Sequence, residues 1–250
     1  QMLLDNSGIT LYFVLYDEAG NQWGSMFDVT PEMTFDYSLH GTIQGAITAA
    51  SDGDTINVYP GTYVEDVLVN KDITLLGLNP PDGVEAAIIE GLVNVTADGA
   101  TVHSFKIVPG TVIGQEAGIS ISASNTTVSG NYVSGMTGDG SGSIKGIHIY
   151  NDALPALTNI VLNGNVIENI HNGSGSGGYA GTDGIMAQGP LNGVDIVGNI
   201  VKSITSDGWA YGIEVAPTGS SPENPPLDVL IEDNEINAVN PDEPGDTAPY

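Results

Sequence analysis

Ile160-Val-Leu-Asn-Gly-Asn165-Val-Ile167 returns as Val194-Asp-Ile-Val-Gly-Asn199-Ile-Val201 and again as Val229-Leu-Ile-Glu-Asp-Asn234-Glu-Ile236. Each copy reads apolar-x-apolar-x-x-Asn-x-apolar. Followed back through the chain, the anchor position falls at Leu78, Phe105, Asn131, Asn165, Asn199 and Asn234, at spacings of 27, 26, 34, 34 and 35 residues. Three before the anchor stand Leu75, Val102, Val128, Leu162, Ile196 and Ile231; two after it stand Ile107, Val133, Ile167, Val201 and Ile236. Five before stand Ile73, Ala100, Thr126, Ile160, Val194 and Val229, and five after stand Met136, Ile170, Ile204 and Val239. The offsets are mostly even steps, as in strands with one face turned inward, and do not match the spacing of an amphipathic helix.

A second column precedes each anchor: Gly118-Ile119-Ser120-Ile121, Gly146-Ile147-His148-Ile149, Gly184-Ile185-Met186-Ala187 and Gly212-Ile213-Glu214-Val215. Each unit therefore offers about three short strands, too few to bury a core alone. Units stacked in register bury one continuous core, the physics of a solenoid. The expected fold is all-β: a right-handed parallel β-helix of about six to seven coils. At a coil spacing of about 4.8 Å the rod is roughly 30 Å long. The four successive anchor asparagines predict a ladder of side-chain amides along one corner, with the asparagines in the left-handed region at the turn.

Thr42-Ile-Gln-Gly-Ala-Ile-Thr-Ala-Ala-Ser-Asp-Gly-Asp-Thr-Ile-Asn-Val-Tyr-Pro-Gly-Thr-Tyr63, followed by Glu65-Asp-Val-Leu-Val69 and Ile73-Thr-Leu-Leu-Gly77, resembles the opening of pectin-lyase-like parallel β-helix proteins. It is most similar to the versions in archaeal and bacterial cell-surface proteins. The resemblance covers about residues 39–240 and implies the fold, while the activities hosted on that fold range from lyases to surface-layer modules.

Within that span Thr42 is an expected N-cap, and Ile43, Ala46, Ile47 and Ala50 form the apolar stripe of a capping helix at about 42–50. Residues 1–38 do not fit the repeat. Residues 9–16 and 23–29 read as two strands around a turn at 17–22, a β-hairpin or strand extension and a candidate assembly segment. Residues 241–250 read as an acidic, proline-rich tail or linker, which leaves the last coil without a cap.

Charge sets the partners. The chain carries 31 acidic residues against four lysines and no arginine, a net charge of −27. Nucleic acid is excluded as a partner, because phosphate recognition needs clustered basic residues. No apolar run is long enough to span a membrane as a helix. Cysteine is absent, which removes disulfides and thiol chemistry. Pectate lyases, pectin methylesterases and polygalacturonases are similar to one another in relying on an active-site arginine, and none can be matched here. Three Asn-x-Ser/Thr sequons, at Asn94, Asn125 and Asn172, are glycosylation candidates.

Longer units in the C-terminal half imply added loops at Thr137–Lys145, His171–Asp183, Thr205–Tyr211 and Ala216–Pro226. Three precede the Gly-Ile strand and should project from one corner. Stacking then places Lys145, Asp183 and Tyr211 in one column, and Ser120, His148, Met186 and Glu214 in the next. Tyr150, Asp152, Tyr179, Asp207 and Trp209 lie nearby in sequence. Aromatic rings for stacking and carboxylates for hydroxyls or acid–base work are what a sugar groove needs. The candidate catalytic groups are His148, Asp183, Tyr211 and Glu214; the candidate ligand-binding groups are Lys145, Tyr150, Tyr179, Asp207 and Trp209. The acidic loops could also take Ca2+.

Two functional expectations follow. One is a structural or adhesive protein of a cell envelope, sheath or filament, extracellular or on the cell surface, assembling as a homo-oligomer or filament through its N-terminal strands and its uncapped C-terminal coil. The other is a carbohydrate-binding or carbohydrate-active β-helix domain, of lyase, epimerase or hydrolase type, with a polysaccharide as partner.

Overall fold

The structure, a computed structural model, describes residues 14–16, 22–24, 41–79, 81, 86–173, 181–218 and 224–241. The chain divides into two units, Gln1–Leu39 and His40–Tyr250. In the first, Val14–Tyr16 pairs antiparallel with Gln22–Gly24, Leu15 opposite Trp23. This is the expected hairpin, with its return strand beginning at Gln22; its turn at 17–21, and residues 9–13 and 25–29, lie outside the described residues.

The second unit is the β-helix. Its strands wind in a fixed order through three parallel sheets, here called walls A, B and C. Wall A holds seven strands from Thr55–Val58 to Leu227–Glu232, wall B eight from Gly61–Tyr63 to Glu235–Pro241, and wall C six from Val67–Val69 to Trp209–Ala216. The sequence columns become physical ones. Leu75, Val102, Val128, Leu162, Ile196 and Ile231 sit side by side along wall A. Ile107, Val133, Ile167, Val201 and Ile236 do so along wall B. All but the last member of each column is wholly buried, and each such side chain contributes about 1.5–3 kcal/mol of apolar burial.

The first coil is closed by the helix Ile43–Ala49, whose N-cap Thr42 accepts from the Gly45 amide. Ile43 and Ile47 plug into the core. Glu65 accepts from the free amides of Ile43 and Gln44 at 2.8 and 3.0 Å, and Lys71 donates to the carbonyls of Thr48 and Ala50 at 2.7 and 2.6 Å. Both orphaned ends of this short helix are thereby satisfied.

The anchor asparagines form the expected ladder at the corner between walls A and B. Asn131 Nδ2 donates to Asn165 Oδ1 at 3.1 Å, Asn165 to Asn199 at 3.0 Å, and Asn199 to Asn234 at 3.0 Å. Each Oδ1 also accepts the backbone N–H of the preceding rung, and the ladder ends where Asn131 Oδ1 accepts from Phe105. The expected left-handed asparagine is corrected: the positive φ belongs to the residue before each rung, at Ser104, Gly130, Gly164, Gly198 and Asp233. That residue turns the chain, which leaves the asparagine free to point inward. Leu78, by contrast, is exposed and does not join the corner.

A second correction concerns unit length. The extra residues of the later coils lengthen strands more than loops. In the coil of Phe105 the strands are Lys106–Ile107, Thr111–Val112, Ala117–Ile121 and Thr127–Ser129; in the next they are Tyr132–Gly138, Ile144–Tyr150 and Leu157–Asn163. The connection expected at Thr137–Lys145 shrinks to residues 139–143, and that at Thr205–Tyr211 to residues 207–208. Of the other two, residues 174–180 and 219–223 lie outside the described residues, as do 242–250 of the acidic tail.

Candidate functional site

The candidate site lies on the outer face of wall C, and glycine creates it. Strict alternation would put residues 145 and 148 on opposite faces. Gly146 breaks the alternation: Lys145 pairs with Asp183 and Ile147 with Ile185, and Gly146 lies between without a partner in the register. Gly184 does the same between Asp183–Tyr211 and Ile185–Ile213. A Cβ on Gly146 would stand 2.3 Å from Ile167 Cγ2, and one on Gly184 would stand 2.3 Å from Val201 Cγ1. These glycines therefore let wall C close onto wall B, a use of glycine as a close-approach residue. The outcome is two outward columns on one face: Lys145, Asp183, Tyr211, and Ser120, His148, Met186, Glu214. Both are as expected from the sequence.

Outward does not mean exposed. Lys145 keeps 5% of its surface and Asp183 only 1%, while Tyr211 and Tyr150 are 47% and 40% exposed at the rim. His148, Asp207, Trp209 and Glu214 are half-buried. The corner between walls B and C lies beside these columns. Asn172 donates to the carbonyls of Gly142 and Gly181 at 2.7 and 2.8 Å and accepts from the Gly140 amide. Trp209 lies against Gly181, where a Cβ would fall 2.3 Å from the indole. His148 and Tyr150 pack with ring centroids 5.3 Å apart. Tyr179 lies outside the described residues, and Asp152 sits beyond the strand end in the turn that follows Tyr150.

Burial decides the protonation states. It drives the His148 imidazole down to about 4, helped by the Lys145 charge and opposed by a hydrogen bond with Gln188. Burial also drives the Asp183 carboxyl up to about 7, reinforced by the charge and hydrogen bond of Glu214 and opposed by Lys145. Lys145 is itself lowered by burial, against the pull of Asp183 and Glu214; its ammonium donates to the Ser143 carbonyl at 3.1 Å. Near neutrality the site thus holds a neutral imidazole and a carboxyl close to its titration point. Paired groups with values pushed apart in this way can give and take protons at pH 7.

Three buried polar atoms find no partner among the described residues: His148 Nε2, Asp183 Oδ1 and Thr182 Oγ1. His148 and Asp183 face outward on adjacent strands of wall C, whereas Thr182 pairs with the core residue Ile144 and faces inward. Each such atom costs about 1–3 kcal/mol relative to a satisfied one, and two of them side by side on an outer face are a mark of function. Thr182 and Gln188 escaped the sequence reading; Thr182 stands one position before Asp183, Gln188 pairs with Tyr150, and neither carries a motif that would single it out.

The three sequons separate. Asn125 is exposed, with Oδ1 accepting from Asn159. Asn94 is half-buried and accepts from Ser120. Asn172 is corrected: its amide is fully buried and commits both hydrogens to Gly142 and Gly181, so it cannot carry a glycan in this fold. For Ca2+, no group of three or more acidic or histidine side chains is arranged as a cage among the described residues. No protein-family model, curated protein or solved structure matches the chain.

Proposed function

We propose that this β-helix is a carbohydrate-facing domain of an extracellular or cell-surface protein, and that the wall C site performs acid–base work on a polysaccharide. The observation that carries the reading is the pair of unpaired buried polar atoms on His148 and Asp183, on adjacent strands of wall C beside the exposed rings of Tyr150 and Tyr211. A sugar hydroxyl or ring oxygen arriving there regains the missing hydrogen bonds, while the tyrosines offer faces for its C–H groups. Asp183 is the proton donor, with Glu214 holding its proton in place. Neutral His148 is the acceptor. Lys145 neutralises negative charge that develops on the substrate. The likeness of residues 42–77 to the opening of pectin-lyase-like proteins supports this reading; the missing arginine directs it away from the arginine-dependent activities and toward lyase or epimerase chemistry.

A screen of neutral and acidic polysaccharides, with and without calcium, tests the proposal by release of unsaturated or reducing ends. Turnover that falls at least about 100-fold in both Asp183→Asn and His148→Gln is expected, the usual scale for removing an acid–base group. Turnover unchanged in both variants, or neither binding nor turnover on any glycan, overturns it.

A second reading, a subunit of an envelope, sheath or filament, rests on a different observation. In the last coil Ile231 and Ile236 are 49% and 48% exposed, whereas Ile196 and Val201, one coil earlier in the same columns, are 0% exposed. The exposed strand edge and its apolar columns offer the kind of surface on which another coil stacks. Light scattering across a concentration series tests this reading. Growth that Ile236→Lys abolishes is expected; a particle of one size at every concentration counts against it.

A further inference from the structure

On the other side of the molecule, where walls A and B meet, the outer surface is hollowed into a groove of about 450 Å³ lined by Tyr132, Val166, Ile200 and Lys202. The tight turns of the Asn ladder form its edge, with Gly130 and Gly164 among the lining residues. Three successive coils supply its floor: Tyr132 pairs with Val166, and Val166 with Ile200.

The distribution of lysine makes this groove unusual for its chain. Of the four lysines, Lys71 is bonded to the carbonyls of the capping helix and Lys145 is buried beneath the wall C site. The other two, Lys106 and Lys202, stand three coils apart on wall B and both act on the Glu168 carboxyl; Lys202 lines the groove, and Lys106 lies beside Tyr132 at its end. Lys106 Nζ stands 5.8 Å from the centroid of the Tyr132 ring. Lys202 Nζ lies 2.6 Å from Glu168 Oε2 and keeps 43% of its side chain exposed. The Tyr132 hydroxyl donates to the other oxygen of Glu168. Burial would raise the Glu168 carboxyl, but its bonds with Lys202 and Tyr132 prevail and hold it below the usual range.

We propose that this groove is a second binding site, distinct from the wall C site, and that its ligand is an acidic sugar residue. The chemistry divides among the named groups. The ring face of Tyr132 with Val166 and Ile200 takes the apolar face of a sugar ring, Glu168 accepts from its hydroxyls, and Lys106 and Lys202 take its carboxylate. A volume of this size falls within the span of small-molecule sites. The net charge of −27 repels any acidic glycan at long range, but ions at physiological strength screen that repulsion beyond about 8 Å. Contacts with two lysines act well inside that distance.

Isothermal titration of the intact chain with a tri-uronide, and with the same trisaccharide after its carboxylates are reduced to alcohols, tests the site. The tri-uronide is expected to bind about tenfold more tightly than its neutral counterpart, the equivalent of one net charge-assisted contact. Lys106→Gln, which removes no hydrogen bond recorded in the fold, and Lys202→Gln should each erase most of that preference, with thermal melts confirming that both variants fold. Equal affinity for the two trisaccharides, no binding at millimolar concentration, or a preference that survives both substitutions overturns the proposal.

Discussion

The coils before Gly130 and those after it solve the same packing problem with different materials. The early coils use strands of two to five residues, fill the corner between walls A and B with Phe105, and leave Leu78 outside. The later coils use strands of mostly seven or eight residues and fill the same corner with amides. A phenyl ring is satisfied by volume alone. A buried amide is satisfied only when the coils before and after it present their own amides at the same height. The ladder therefore fixes coil-to-coil register in the half that carries both polar clusters, where one residue of slip would turn every outward group inward.

The largest effect should come from breaking that ladder. Asn165 accepts from Asn131 N and Nδ2 and donates to Val128 O and Asn199 Oδ1. Asn165→Leu strands Asn131 N, one Asn131 Nδ2 hydrogen and Val128 O, while Asn199 Oδ1 keeps the backbone N–H of residue 165, and should lower unfolding free energy by about 3 kcal/mol, at roughly 1 kcal/mol for each lost partner. Phe105→Leu, at the equivalent early corner, should cost only about 1–2 kcal/mol. Urea unfolding of the two variants measures the contrast; equal losses would mean that the amides act as volume.

The next effect is a pH dependence confined to the later coils. Between pH 6.5 and about 4 the unfolded chain protonates His148 and the folded chain does not, so this group removes stability as pH falls. Between pH 3.8 and about 7 the folded chain protonates Asp183 and the unfolded chain does not, so this group removes stability as pH rises. From about pH 4.5 to 6.5 the two slopes oppose and nearly cancel. Asp183→Asn should expose the histidine slope, so that stability relative to the parent rises with pH by about 1.4 kcal/mol per unit. His148→Gln should give the opposite slope. Denaturant midpoints in a buffer series would show it, and variants whose slopes both match the parent would refute the paired protonation states.

The close-approach glycine comes third. Gly184→Ala drives a Cβ to 2.3 Å from Val201 Cγ1 and 2.6 Å from the Gly212 carbonyl, an overpacking of about 2 kcal/mol. Because Gly184 sets the spacing between Asp183 and Ile185, the same change should also shift the Asp183 titration followed by NMR. A loss of stability with an unmoved titration would separate the glycine from the site.

These residues also show what the sequence could and could not reveal. The apolar columns were legible because burial imposes a residue type at every repeat, and the register of Leu162, Ile196 and Ile231 came out unshifted. The outward columns Lys145–Asp183–Tyr211 and His148–Met186–Glu214 were legible because the same register carries them. Their burial was not. Nor was the neighbouring corner, where Asn172, which reads as a sequon, clamps Gly142 to Gly181 and Trp209 lies against Gly181. The Tyr132 groove was invisible because its members occupy three different coils and two different strand positions, with no local pattern. The longer strands were misread as loops because unit length alone does not say where the extra residues go.

The smallest effect tests whether the two halves are one cooperative body. Glu65 places a carboxylate against the free amides of Ile43 and Gln44. Glu65→Gln removes the charge and should cost about 1 kcal/mol, less in high salt, as expected for an anion at a helix N-terminus. In a solenoid each coil touches only its neighbours, so the loss should stay local. Hydrogen exchange should quicken at Val67–Val69, next to the helix, and remain unchanged at Val166–Asn172, four coils further on. If protection falls equally in both strands, the ladder and the capping helix stabilise a single unit, and the difference between early and late coils is one of composition without a boundary in stability. If it falls only in the first, the corner chemistry also divides the molecule energetically, and the polar clusters sit on the half that opens last.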